Sequence, residues 1–182
     1  MPDLSSNHQK ILLEIARSAL KTFLSTGDHE DISNRALDPE LLVSGGCFVT
    51  LMKAGKLRGC VGTFDDSQPL AQNIARMAPA AATQDHRFSR VTKDELPEIE
   101  IHISVLGPLE LVQNLEDIEI GKHGVLVKYK DRKGTFLPEV AVEHKWSVPE
   151  FVTFCAREKA GLAPEECGKA EIYKYEVQKI GE

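Results

Sequence analysis

The segment IEIHISVLG (99–107) constrains the fold more than any other stretch of the chain. Ile99, Ile101, Ile103 and Val105 recur at every second position, with Glu100, His102 and Ser104 between them. A period of two belongs to a strand with one inward and one outward face. CFVTLMKAGKLRGCVGTF (47–64) reads as two more short strands joined at Lys53–Lys56, with Gly55 supplying the turn. Strands joined this tightly pair antiparallel, because parallel neighbours need long crossovers.

Helical periodicity frames these strands. Ser5, Ser6 and Asn7 can cap a helix in which Ile11, Leu12, Ile15, Ala16, Ala19, Leu20 and Phe23 recur at helical spacing. Leu24 to Leu42 is polar, with Gly27, several acidic residues and Pro39, and reads as a long surface connection. PLAQNIARMAPAAAT forms a second helix with an apolar stripe of Leu70, Ile74, Met77 and Ala81, and Pro79 argues against its last turns. GPLELV reads as a continuation of the 99–107 strand after a break. GKHGVLVKYKDRKGTFLPEVAV (121–142) reads as a hairpin about the turn Asp131–Gly134.

SVPEFVTFCAREKAGL is a third helix, with Ser147 and Glu150 in a capping box and Gly161 as its stop. In the last strand, EIYKYEVQKI, Tyr173, Tyr175 and Val177 alternate with Ile172, Lys174 and Glu176. The pattern predicts one α+β domain over 1–182, a largely antiparallel sheet flanked by about three helices.

Charge narrows the function classes. The 22 Lys and Arg against 28 Asp and Glu give a net charge of −6, which argues against general affinity for nucleic acid or an anionic membrane. The one basic cluster, KYKDRKG (128–134), reads as a solvated hairpin tip. No apolar run reaches bilayer length, and the N-terminus lacks the features of a signal peptide. Cys47, Cys60, Cys155 and Cys167 show neither CxxC nor framework spacing, as expected of reduced thiols in a cytoplasmic protein.

LRGCVG (57–62) is the candidate site. As a regular strand it places Arg58, Cys60 and Gly62 on one face and Leu57, Gly59 and Val61 on the other. The Cα atoms of Arg58 and Cys60 are then ~6.6 Å apart, at ~3.3 Å per residue. A guanidinium at that range favours a thiolate and makes Cys60 a nucleophile. Three readings stay open: reactive Cys60, Cys60 as a small core hydrophobe, and function through the glycines and backbone while Cys60 packs.

A nucleophilic cysteine needs a base. His102, beside Glu100 and Ser104 on an outward strand face, is the candidate; its plain alternative is a partly exposed strand histidine. His86 lies in QDHRF, where Asp85 and Arg87 can form a loop-fixing ion pair. His123 in GKHG suits a turn, and His144 near a helix start suits a structural role. No HExxH, CxxC, GxGxxG or GxxxxGK[ST] pattern is present, so neither a metal nor a cofactor is assigned. LPEVAVEHKW, extended at Leu137 before Pro138, reads as a sheet edge or cleft wall with Trp146 as an aromatic anchor.

Five motifs stand in a definite order: LRGCVGTF, AAATQDHRFSRV, IEIHISVLGPLELV, IGKHGVLV, and GTFLPEVAVEHKW followed by FVTFCAREKAGL. Together they resemble the AMMECR domain family over nearly the whole chain, in its stand-alone prokaryotic form. The resemblance implies two unequal lobes with a cleft, the larger lobe drawing on both chain ends, and a functional site at LRGC[IV]G. Taken together with the strand-face reading above, Cys60, Arg58 and His102 are expected as catalytic residues, and Gly59, Gly62, Thr63 and Arg87 as ligand-binding residues. Glu139 departs from the Gln common at its position in the family. Neighbouring genes in the family imply a pathway shared with a Memo-type protein and a radical SAM enzyme. The expected activity is therefore a cysteine-dependent reaction on a small molecule or peptide, or, alternatively, a binding or adaptor role with those partners.

Overall fold

Ala54 and Gly55 form a two-residue turn with φ of 51° and 72° in the computed structural model of the chain, which describes residues 4–181. Positive φ at both central positions is what a tight hairpin of right-twisted strands requires. The turn joins β1 (Cys47–Lys53) to β2 (Lys56–Thr63), paired antiparallel from Cys47↔Thr63 to Lys53↔Lys56. The other side of β1 pairs antiparallel with β3 (Ile99–Leu106), with Ile103 opposite Val49 and Ile101 opposite Leu51.

Alternation in β1 and β3 sends Val49, Leu51, Ile99, Ile101, Ile103 and Val105 to one buried face. Two helices cover that face. In α1 (Ser6–Thr26), Leu12, Ile15, Ala16, Ala19 and Leu20 are buried. The Ser5 hydroxyl accepts the His8 N–H at 3.2 Å, and Gly27 ends the helix at φ 83°. The following connection is less superficial than its polarity suggests, since Ile32 and Leu41 enter the core.

α2 spans Leu70–Thr83 without stopping at Pro79. Proline removes one helical hydrogen bond, but Ala78, Pro79, Ala80, Ala81 and Ala82 are all buried, and their burial holds the last turns in place.

The predicted single sheet is two. The first has the order β2-β1-β3-β8, where β8 is Val177–Gly181. The second has the order β4-β7-β5-β6, built from β4 (Glu110–Leu111), β5 (Gly124–Tyr129), β6 (Arg132–Phe136) and β7 (Glu171–Tyr175). The chain divides correspondingly into one unit of Met1–Leu106 with Gln178–Glu182 and another of Gly107–Val177.

Three local expectations change as a result. GPLELV does not extend β3, because after Gly107 and Pro108 its residues pair with β7. EIYKYEVQKI is two strands rather than one, separated at Glu176 and serving different sheets. The 121–142 hairpin turns two residues earlier, at Lys130 (φ 56°) and Asp131, so Gly134 lies within β6 opposite Val127.

Pro138 opens α3 (Pro138–His144), not a sheet edge. A proline needs no N–H at a first helical position, and extended Leu137 serves as the cap residue. α4 (Val148–Phe154) starts at the predicted Ser147–Glu150 capping box and runs into a π-helical turn, Cys155–Lys159, before Gly161 at φ 63°. A short α5 (Pro164–Cys167) follows. Val125, Val127, Phe151 and Cys155 form the centre of this unit's core. Trp146 belongs to an aromatic cluster, 4.5 Å from Phe154 and 5.6 Å from Phe136 between ring centroids.

Candidate functional site

The edge strand carrying LRGCVG is not regular. Leu51 pairs with Gly59 but Met52 pairs with Leu57, so Arg58 is the extra residue of a bulge. A bulge re-aims its side chain, and the expected shared face of Arg58 and Cys60 is interrupted there. Arg58 Nε and Nη2 donate to the two oxygens of Glu95, each at 3.0 Å, and Nη1 donates to the Ser89 carbonyl at 2.7 Å. This pairing foremost, with the Thr92 N–H, holds the Glu95 carboxyl down at about 2. Arg58 is a clamp between β2 and residues 89–95.

The cation beside Cys60 is a different one. The Cys60 N–H donates to Asp85 Oδ2 at 2.8 Å, pointing away from β1 at the open edge of the sheet. Arg87 grips the same carboxylate, with Nε 2.9 Å from Oδ1 and Nη2 2.7 Å from Oδ2. The Asp85 side chain is 6 % exposed and that of Arg87 56 %. The Arg87 hydrogen bond is the main reason the Asp85 carboxyl lies at about 2, with the Cys60 and Arg87 N–H groups adding to it against burial. The pKa of Arg87 is itself raised, first by its hydrogen bond to Asp85 and against burial.

Thr50 also meets the thiol. Its hydroxyl donates to Cys60 Sγ at 3.2 Å. Thr50 stands opposite Cys60 on one side and opposite His102 on the other, so the three occupy one cross-strand row. Strand spacing of ~4.8 Å places the Cys60 and His102 Cα atoms roughly 10 Å apart. His102 leans toward β8, where a Cβ on Gly181 would lie 3.1 Å from its Nδ1. Cys60 is half-buried, whereas burial pushes the Cys47 and Cys155 thiols up to about 12.

The glycines serve the fold's own close contacts. A Cβ on Gly59 would lie 2.1 Å from the Ala81 carbonyl oxygen, so this position lets α2 approach β2. A Cβ on Gly62 would lie 2.3 Å from the Phe48 ring. Thr63 Oγ1 accepts the Asp65 N–H at 3.0 Å and shapes the exit from β2. His86 is exposed between Asp85 and Arg87. His123 Nδ1 accepts the Glu119 N–H at 2.9 Å within its turn, and burial foremost lowers its pKa. His144 stacks on Trp146, 4.5 Å between centroids.

Sequence reasoning missed Thr50, and although it names Arg87 as ligand-binding, it reads Asp85 only as that arginine's partner in a loop-fixing ion pair. Strand register identifies Thr50 once β1 and β2 are paired, but nothing in the sequence places residue 85 beside residue 60. Among the described residues, no group of three or more His, Cys, Asp or Glu side chains is arranged to hold a metal ion. No helix among them is long and apolar enough to cross a membrane.

The AMMECR1 family model matches residues 13–180. A protein of Methanosarcina mazei is 36% identical over 183 residues, covering 96% of this chain and 92% of that protein. A protein of Thermotoga maritima is 42% identical over 136 residues, covering 74% and 76% respectively. The crystal structure of the uncharacterized protein PH0010 from Pyrococcus horikoshii superposes with a TM-score of 0.88 at 30% identity, covering 97% of this chain and 92% of that one.

Proposed function

The chain belongs to the AMMECR1 family, and from that premise we propose that it acts in the cytoplasm through a cysteine-centred site on the outward face of the first sheet. The observation that carries this reading is the Thr50 hydroxyl 3.2 Å from Cys60 Sγ, in register with His102 beyond it. A hydroxyl that donates to sulfur favours the thiolate over the thiol. A small molecule or peptide lying across β1 meets the thiol at one end of the row and the imidazole at the other. Cys60 is then the nucleophile or thiol ligand, and His102 the general acid or base toward the bound molecule.

The test is site-resolved alkylation of the full chain with iodoacetamide, read by peptide mass spectrometry. Cys60 is expected to react ahead of Cys47 and Cys155, and Cys60→Ser to remove that reaction. A Cys60 no faster than those two buried thiols overturns the reading. The alternative is a binding module acting with a Memo-type or radical SAM partner. It is favoured by the commitment of Arg58 to Glu95 and of Gly59 to Ala81, which takes both from any ligand. In that case partner association survives Cys60→Ser.

A further inference from the structure

A single carboxylate oxygen, Asp85 Oδ2, accepts both the Cys60 N–H at 2.8 Å and an Arg87 Nη2–H at 2.7 Å. The guanidinium is therefore within two hydrogen-bond lengths of the Cys60 amide. The pair is asymmetric: the carboxylate is turned inward and the guanidinium outward. Guanidinium carries five N–H donors in a planar fork. Asp85 takes the Nε–H and an Nη2–H, and among the described residues the Nη1 hydrogens meet no hydrogen-bond acceptor.

This arrangement differs from an ordinary surface ion pair in what it fixes. Asp85 also accepts the Arg87 backbone N–H at 3.1 Å, so both ends of the arginine are tied to one carboxylate. That carboxylate is tied in turn to the strand edge at Cys60. Net charge is balanced within the pair, so recognition must come from directed N–H donors rather than from a broad positive field. A pre-oriented guanidinium edge matches a carboxylate or phosphate, whose oxygens accept two N–H groups together.

We propose that the molecule met by Cys60 carries an anionic group, a carboxylate or a phosphate, and that Arg87, positioned by Asp85, receives it. The inference rests on the reading of Cys60 as the thiol of the site. Arg87 thus has a specificity role that Arg58, committed to Glu95, cannot fill, and Asp85 is a positioning residue that touches no ligand.

Two alkylating agents of nearly equal size separate the claims. Iodoacetamide is neutral and reports the thiol, whereas iodoacetate is anionic and reports the thiol together with Arg87. The ratio of iodoacetate to iodoacetamide rate constants at Cys60 should fall by about two- to fivefold in Arg87→Gln, the worth of one exposed charge interaction. The iodoacetamide rate and thermal unfolding serve as controls for the thiol and the fold. Arg87→Lys should keep part of the ratio, and Asp85→Asn should lower it. Raising ionic strength should shrink it in the native chain but not in Arg87→Gln. A ratio unchanged by Arg87→Gln overturns the anion inference while leaving the thiol reading intact. A Cys60 inert to iodoacetamide removes the thiol reading and this inference with it.

Discussion

Arg58 and Glu95 are joined fork to fork, Nε and Nη2 each lying 3.0 Å from one oxygen of the same carboxylate. The arginine side chain is 15 % exposed and its partner 18 %. A bidentate, largely covered pair of this kind contributes more than an exposed one. Arg58→Ala is expected to lower stability by about 1.5–3 kcal/mol, the range for hydrogen bonds to charged groups. Arg58→Lys should recover only part of that loss, because an ammonium cannot form the fork. Denaturant unfolding of the three proteins checks the order; equal midpoints for native and Arg58→Ala would refute the clamp.

Acid stability follows from Glu95 and Asp85 together. Both carboxyls lie at about 2 in the folded chain, against ordinary values of 4.5 and 3.8. Their folded pKa values are depressed, so the unfolded chain binds more protons as pH falls and stability drops. The contribution is complete above pH ~4.5 and is lost progressively toward pH ~2. Unfolding free energy measured across this window should fall steeply in the native chain. The slope should be shallower in Asp85→Asn and shallower again when Arg58→Ala is added.

Gly59→Ala tests whether this glycine serves the helix or a ligand. The added methyl would meet the Ala81 carbonyl oxygen at 2.1 Å, and that atom belongs to helix backbone and cannot swing aside. The substitution should cost about 1–3 kcal/mol, as overpacking does, and lower the melting temperature. A Gly59→Ala chain as stable as the native one would mean that α2 can withdraw from β2.

Thr50→Val removes the hydroxyl on Cys60 Sγ while keeping the β-branched shape that suits a strand. A hydrogen bond worth about 0.5–1.5 kcal/mol corresponds to a slowing of Cys60 alkylation by roughly two- to tenfold near neutral pH. Cys167, which donates to the Ala163 carbonyl at 3.4 Å in the other unit, is the internal reference and should not change. Equal slowing at both cysteines would point to a general effect of the substitution.

Local pattern was enough to place most elements. The period of two in IEIHISVLG identifies β3 and its buried face, and the turn at Ala54 and Gly55 identifies the β1–β2 hairpin. Ser147, Glu150 and Gly161 mark the ends of the helical segment that α4 begins. These features are legible because each depends on neighbours within a few residues, where side-chain spacing and backbone φ decide. Ser104 is an instructive exception, since it alternates as an outward residue yet is buried, opposite Phe48 in the register.

Sequence by itself therefore determined an α+β chain of antiparallel strands, the hexapeptide 57–62 as the place to look, and the family through five ordered motifs. Only the tertiary structure decided which residues act on that hexapeptide. The bulge turned Arg58 toward Glu95, Asp85 brought Arg87 to the edge beside Cys60, and register set Thr50 between Cys60 and His102. Gly59 and Gly62 admit a helix carbonyl and an aromatic ring. The physical reason is range: alternation and capping are written within one turn or strand. A hydrogen bond between residues 60 and 85 forms only when the packing of α2 on the first sheet carries the following loop back to its edge.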